Sequence, residues 1–295
     1  IDKTMSYNFK SHSDLPSRDQ LAQEVRQFAD LLMKLSKAPS MKEYYSGPIM
    51  YEGHNAQNEL FYVAENIGIA SRNPFSGSSN TSMMLGKRVM DTRFSIHALS
   101  DMPTYKGEKL LGNFTMDAYG QVPAKDFTIV ENGILRNLIC GDKPAIGAMR
   151  PTGNTVTSTI GTFTGFGILH VTYDKTVPYS KMRRLLRDEA RKAGLDHAYI
   201  VKSQGTYGSI MYLVRYDINT GEEEIVNMDG LQMLDRRDLM HLTAVSSEEG
   251  VFNKYTNNNI TSIIAPQAFI VENKEVNFTK PRREEDFVLK NPALR

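Results

Sequence analysis

The sequence predicts an α+β fold: a large curved, barrel-like and mostly antiparallel β-sheet with a few flanking helices. Three observations carry this expectation. Helices are few, and residues 18 to 37 and 178 to 195 hold the clearest helical period of apolar residues. Elsewhere short runs such as "RVMDTRFSIHAL", "KDFTIVE" and "GILRNLIC" are rich in β-branched or apolar residues and are broken by turn residues. Between two of them stands "ENG" at 131 to 133, a strong hairpin signal. Mixed α and β elements with antiparallel strands point to an α+β arrangement.

Taking the elements in order, Ser17 followed three residues later by Gln20 forms a capping box, after which Leu21, Val25, Phe28, Leu32 and Leu35 share one helical face. "APS" closes that helix. "YYSGPIMYEGHNAQNELFYVAENIG", Tyr44 to Gly68, then reads as a strand feeding a helix, with Leu60 and Phe61 anchoring the helix in the core. Asn73 to Gly86 is rich in Ser, Asn and Gly and reads as a long exposed loop. Met149 to Gly167 concentrates Gly and Thr without Gly-Lys-Ser/Thr or G-x-G-x-x-G, so a glycine-rich turn or backbone-lined groove is expected rather than a phosphate cradle.

The second helix places Met182, Leu185, Leu186 and Ala190 inward, stops at Gly194, and leaves its arginines as a solvated face. Strands follow at "HAYIVKS", "IMYLVRYDI" and "EEIVNM", then a short helix around Asp235 to Leu242. "ITSIIAPQAFIVENKEVNF" is strand-like around Pro266 and precedes a charged tail. The carboxylate runs Glu222 to Glu224 and Glu284 to Asp286 read as solvated surface.

Composition narrows the function classes. The chain has 295 residues, 40% of them hydrophobic, which is enough for a sizeable core. Its 35 basic and 34 acidic residues leave a net charge of +1, so no direct nucleic-acid binding is expected. No apolar run is long enough to span a membrane. Cys140 alone permits neither an internal disulfide nor a thiolate metal cluster, and is expected as a small buried apolar side chain. The chain starts at Ile1 with strand-like alternation, which suggests a processed or truncated chain and leaves the compartment unreadable.

Several segments, in this order, resemble the C-terminal half of the TldD/PmbA family, described as modulators of DNA gyrase and as candidate metallopeptidases. They are "YYSGPIMYEGHNAQNELF", "GKRVMDTRFSIHALSDMPT", "GNFTMDAYGQVPAKDFTIVENGILRNLI", "RPTGNT" and "IIAPQAFIVENKEV". The resemblance implies that residues 1 to 295 form one C-terminal domain of this type, with the family's N-terminal α/β domain absent from this chain. It also implies a cytoplasmic location and pairing, as a homodimer or as a heterodimer with a related subunit, around a chamber; unfolded peptide is the expected ligand because a groove edged by exposed strands can pair with an extended backbone.

In active members of the family the helix after the "GP" strand carries His-Glu-x-x-x-His and binds zinc, with a further cysteine near the C-terminus. Here "YEGHNA" stands in that place: Tyr51 and Ala56 occupy the histidine positions, Glu52 matches the glutamate, and the late cysteine is missing. Neither tyrosine nor alanine replaces a neutral imidazole on zinc, so no metal or other cofactor is expected. Glu52 is the one candidate for a remaining catalytic role. His54 is expected as an exposed or capping residue, while His12, His97, His170, His197 and His241 lack metal-ligand spacing and leave only a cross-strand pairing such as His97 with Asp101.

Three functions compete. The first is a PmbA-type non-catalytic subunit that shapes a peptide-binding chamber. The second is an active peptidase acting on unfolded peptides through other residues or a missing N-terminal part. The third is an interaction module that modulates DNA gyrase.

Overall fold

The computed structural model describes residues 9, 11–12, 15–41, 44–71, 77–158, 161–204, 210–227, 231, 233–256 and 259–276. The first helix, α1 (Arg18–Ser36), starts at the expected capping box, with the Gln20 N–H donating to Ser17 Oγ and the Ser17 N–H donating to Gln20 Oε1. Strand β1 (Tyr45–Glu52) leads into α2 (His54–Gly68). Then come β2 (Phe94–Leu99), β3 (Thr104–Tyr105), β4 (Glu108–Lys109), β5 (Asp126–Glu131), β6 (Ile134–Leu135), β7 (Thr155–Ser158), β8 (Gly161–Thr164) and β9 (Ile168–Tyr173). Helix α3 (Met182–Lys192) precedes β10 (His197–Gln204), β11 (Ile210–Asp217), β12 (Glu223–Val226), β13 (Leu242–Val245), β14 (Glu249–Thr256), β15 (Asn259–Pro266) and β16 (Ala268–Val276).

Twelve of the strands form two six-stranded sheets, ordered β12-β11-β10-β1-β16-β13 and β14-β15-β9-β2-β5-β6, while β3-β4 and β7-β8 are two-stranded pairs. Each sheet contains a parallel pair, β1 with β10 in the first and β15 with β9 in the second. The single barrel-like sheet expected from sequence is therefore wrong: there are two open mixed sheets, each ending in two separate edge strands. The reason is visible in burial. Strand β1 is buried at seven of its eight residues, so its sheet is covered on both faces and has no need to close on itself.

Alternation along β1 distributes side chains to two cores. Ile49 and Tyr51 join the main core with Leu60, Phe61, Val63 and Ile67 of α2 and with Ile263 and Ala265 of the second sheet. Met50 joins Met182, Leu186 and Ala190 of α3 on the other face. Helix α2 thus packs against both sheets, and ten of its fifteen residues are buried. Among its polar side chains, Asn55, Gln57 and Glu59 are buried as well.

Local signals succeed where short-range geometry decides. The β5–β6 hairpin turns at Asn132 and Gly133, both with positive φ (49° and 73°) as a type I′ turn requires. A Cβ at Gly133 would lie 2.7 Å from the Asp91 carbonyl oxygen, so this turn needs glycine on steric grounds too. Three expectations change. The described part of the expected loop, Gly77–Met84, is a 3₁₀ helix. The helix expected around Asp235 shrinks to the 3₁₀ turn Asp238–Met240 before β13. On α1, Leu31 is the buried residue while Leu21 and Val25 stay exposed, because the helix meets the body at β12 through its later turns.

Leu60 is 3% exposed within the main core, so Leu60→Ala is expected to cost about 2–5 kcal/mol in urea denaturation. Leu21→Ala, at an exposed position, should change stability by no more than about 0.5 kcal/mol.

Candidate functional site

The β1–α2 junction carries the residues that the sequence singled out. Gly53 makes the turn at φ 65°, and its N–H donates to the Gln267 carbonyl at 2.8 Å. Glu52 is therefore the last residue of β1 and points to the α3 side, while Tyr51 points to the main core. Two neighbours in sequence end on opposite faces of a sheet, as the period of a strand demands.

Around Glu52 an ion network is built from four elements. Tyr179 donates to its Oε2 at 2.8 Å, Arg183 of α3 lies 3.3 Å from the same oxygen, and Lys202 of β10 lies 3.6 Å from Oε1. Glu223 of β12 completes the set, accepting from Arg183 Nε at 3.0 Å and from Lys202 Nζ. Burial disfavours the charge on Glu223, but the hydrogen bonds from Lys202 and Arg183 outweigh it and hold its carboxyl below the ordinary value. The α3 arginines and the 222–224 run are thus not simply solvated: Arg183 and Glu223 tie the helix to the sheet.

On the opposite face, Tyr51 is 1% exposed and stacks on Phe269 with ring centroids 5.2 Å apart. Its hydroxyl has no hydrogen-bond partner among the described residues. Burial, reinforced by the charge of Glu59, pushes the phenol well above its ordinary value, so it stays protonated. Ala56 is fully buried and offers no donor. His54 opens α2, is half-buried rather than exposed, and stacks on Phe252 at 4.6 Å. A zinc ion does not fit this junction, since its positions supply a neutral phenol, a methyl group and a carboxylate held on the other face. Among the described residues, no group of three or more His, Cys, Asp or Glu side chains is arranged to hold a metal ion.

The other histidines are placed elsewhere. His97 pairs with Asp126 at 2.7 Å, and the suggested partner Asp101 is bonded to Lys125 at 3.0 Å. His97 faces His170 across the β2–β9 pair, and His170 reaches Glu249 at 3.4 Å, where Tyr105 and Lys106 also bond. This cluster fastens the β3–β4 hairpin to β14. Tyr105 and Glu249 are 144 positions apart, so no local spacing signalled it. Cys140 is buried and its Sγ donates to the Arg150 carbonyl. Glu284 to Asp286 lie outside the described residues.

A buried lysine was also missed. Lys254 is 8% exposed and its ammonium sits 3.5 Å from the centre of the Tyr62 ring and 4.4 Å from that of Phe61, with no hydrogen-bond partner among the described residues. Burial pushes it down to about 8, against the upward pull of Glu65 and Glu59.

Residues 32–185 match the family described as the PmbA/TldA metallopeptidase C-terminal domain. The chain belongs to the PmbA/TldD family. A candidate modulator of a DNA gyrase from Thermotoga maritima is 17% identical with a TM-score of 0.50, over 90% of this chain and 56% of that one, a likeness of fold. TldE from Thermococcus kodakarensis is 16% identical with a TM-score of 0.49, over 87% of this chain and 55% of that one. A candidate modulator of DNA gyrase from Bacteroides thetaiotaomicron is 14% identical with a TM-score of 0.45, over 84% and 51%. This PmbA/TldD chain spans about half the length of those solved structures. No curated protein matches it significantly. Among its described residues, no helix is long and apolar enough to cross a membrane.

Two outcomes are expected. Glu52→Gln removes the charge that Arg183 and Lys202 share with Glu223, and should cost roughly 1–3 kcal/mol by chemical denaturation. For Lys254, the unfolded chain binds more protons than the folded one between about pH 8 and 10.5. Stability should therefore rise with pH across that window, and the rise should flatten in Lys254→Met when denaturation curves are compared at pH values across it.

Proposed function

We propose that this PmbA/TldD chain is a non-catalytic family member that binds unfolded peptide rather than hydrolysing it, and that it does so paired with itself or with a related subunit. The observation that supports this most is the β1–α2 junction: Tyr51 and Ala56 offer no metal ligand, and Glu52 is engaged by Tyr179, Arg183 and Lys202. A general base must be within reach of a water or substrate proton, and here the Glu52 oxygens already face Tyr179, Arg183 and Lys202. The residue that the family resemblance marks for chemistry here acts in holding the fold.

Unfolded peptide suits the architecture because an extended backbone can add to an open sheet edge irrespective of its side chains. Strand β14 is such an edge: it spans Glu249–Thr256 at the end of the second sheet and, among the described residues, pairs with β15 alone. Pairing of subunits rests on the family and on the exposed apolar positions Leu21, Val25 and Met33 of α1.

The test is peptidase activity and metal content on the same preparation. The purified chain should leave unfolded casein intact and hold less than about one zinc per chain by elemental analysis, since a tight site needs three or four protein ligands. Cleavage by the wild-type chain that disappears in Glu52→Gln, with folding retained by circular dichroism, would overturn the non-catalytic reading. Light scattering that gives a monomer mass at every concentration, alone and with a related subunit, would remove the pairing.

A further inference from the structure

A cleft of about 320 Å³ lies between the second half of α2 and the Leu234–Arg237 segment, lined by Val63, Asn66, Ile67, Met84 and Leu234 together with Asp235, Arg236 and Arg237. Its floor is apolar: Val63, Ile67 and Leu234 are 2%, 3% and 5% exposed. Its rim is polar and carries an uncompensated positive charge. Arg237 is bonded to Asp235 through Nε and NH2, both at 3.0 Å, so these two cancel. Arg236 has no carboxylate partner among the described residues and stands half-buried beside the apolar floor.

The wall is held in place from behind. The Leu234 N–H donates to the buried Glu59 carboxylate at 2.9 Å, which fixes the segment to α2. Lys274 holds it again, donating to the Met233 carbonyl at 3.3 Å and to Asp238 at 2.6 Å. Asp235 accepts the N–H groups of Arg237 and Asp238, so the turn that presents Arg236 is itself bonded. A cleft of this size is at the small end of ligand pockets, and a few polar groups over an apolar floor is the usual composition of such a site.

We propose that this cleft binds a small amphipathic carboxylate, with the apolar part against Val63, Ile67, Met84 and Leu234 and the carboxylate on the guanidinium of Arg236. The guanidinium fork matches a carboxylate with two parallel hydrogen bonds, and the adjoining Asn66 amide is a further polar group at the rim. A cationic ligand would meet Arg236 instead, with Asp235 already engaged by Arg237. Two sources offer this chemistry: the C-terminus of a peptide with an apolar last residue, and a free short-chain acid. The proposal does not rest on the non-catalytic reading, since the cleft is lined by different residues from those around Glu52.

Calorimetric titration of the full chain tests it with four probes: N-acetyl-Ala-Ala-Leu as acid and as C-terminal amide, and hexanoate with hexanamide. The acids should bind saturably and the matching amides at least about tenfold more weakly. Arg236→Gln should weaken the acids by about tenfold or more, with circular dichroism unchanged because the side chain is at the rim, and Arg236→Lys should recover part of the loss. Tighter binding of the tripeptide acid than of hexanoate identifies a peptide C-terminus as the source, and equal binding identifies the free acid. Amides that bind as well as acids, indifference to Arg236→Gln, or no saturable binding of either acid would each overturn the proposal. A chain that proves to be a peptidase would leave these titrations unaffected.

Discussion

The constraint on which this structure depends is the burial of β1 on both faces. One strand serves two cores, sending Ile49 and Tyr51 toward α2 and Met50 and Glu52 toward α3. Everything packed around it inherits that division. Strand β10 follows the same alternation, with Tyr199 and Val201 in the main core, Ile200 in the other, and Lys202 beside Glu52. A carboxylate at the end of a doubly covered strand cannot remain in open water, and it is retained because Arg183, Lys202 and Tyr179 converge on it. Removing one member of such a set leaves charges without their partners, which is why the network matters more as a set than any single pair does.

The same packing sets the character of α2. A helix between two sheets has little surface left for solvent, so polar residues on it must be buried, paired or used. Glu59 finds the Leu234 N–H and thereby builds the wall of the α2 cleft. Asn55 and Gln57 retain amide atoms with no partner among the described residues. Lys254 is accommodated by the faces of Tyr62 and Phe61, a placement that depends on the second sheet bringing β14 against the helix. Structural and candidate binding features therefore share one helix while facing different ways along it.

What the sequence by itself determined were the features governed by neighbours along the chain. The Ser17–Gln20 capping box, the Asn132–Gly133 turn, the strand-to-helix change at Gly53 and the inward row Met182, Leu186 and Ala190 of α3 all follow from spacings of a few residues. The substitutions Tyr51 and Ala56 were equally legible, because a side chain without a ligand atom lacks it in any fold. What only the tertiary structure decided was how these pieces meet. Strand runs read alike whether a sheet closes on itself or is covered by layers, so the two open sheets came from long-range pairing. The convergence of Glu52, Arg183, Lys202 and Glu223 spans β1, α3, β10 and β12, and the approach of Arg236 to Val63 and Ile67 joins segments far apart in the chain. Local pattern reports burial and turning, but a partner distant in sequence is chosen by the packing of whole elements, and no short spacing encodes it.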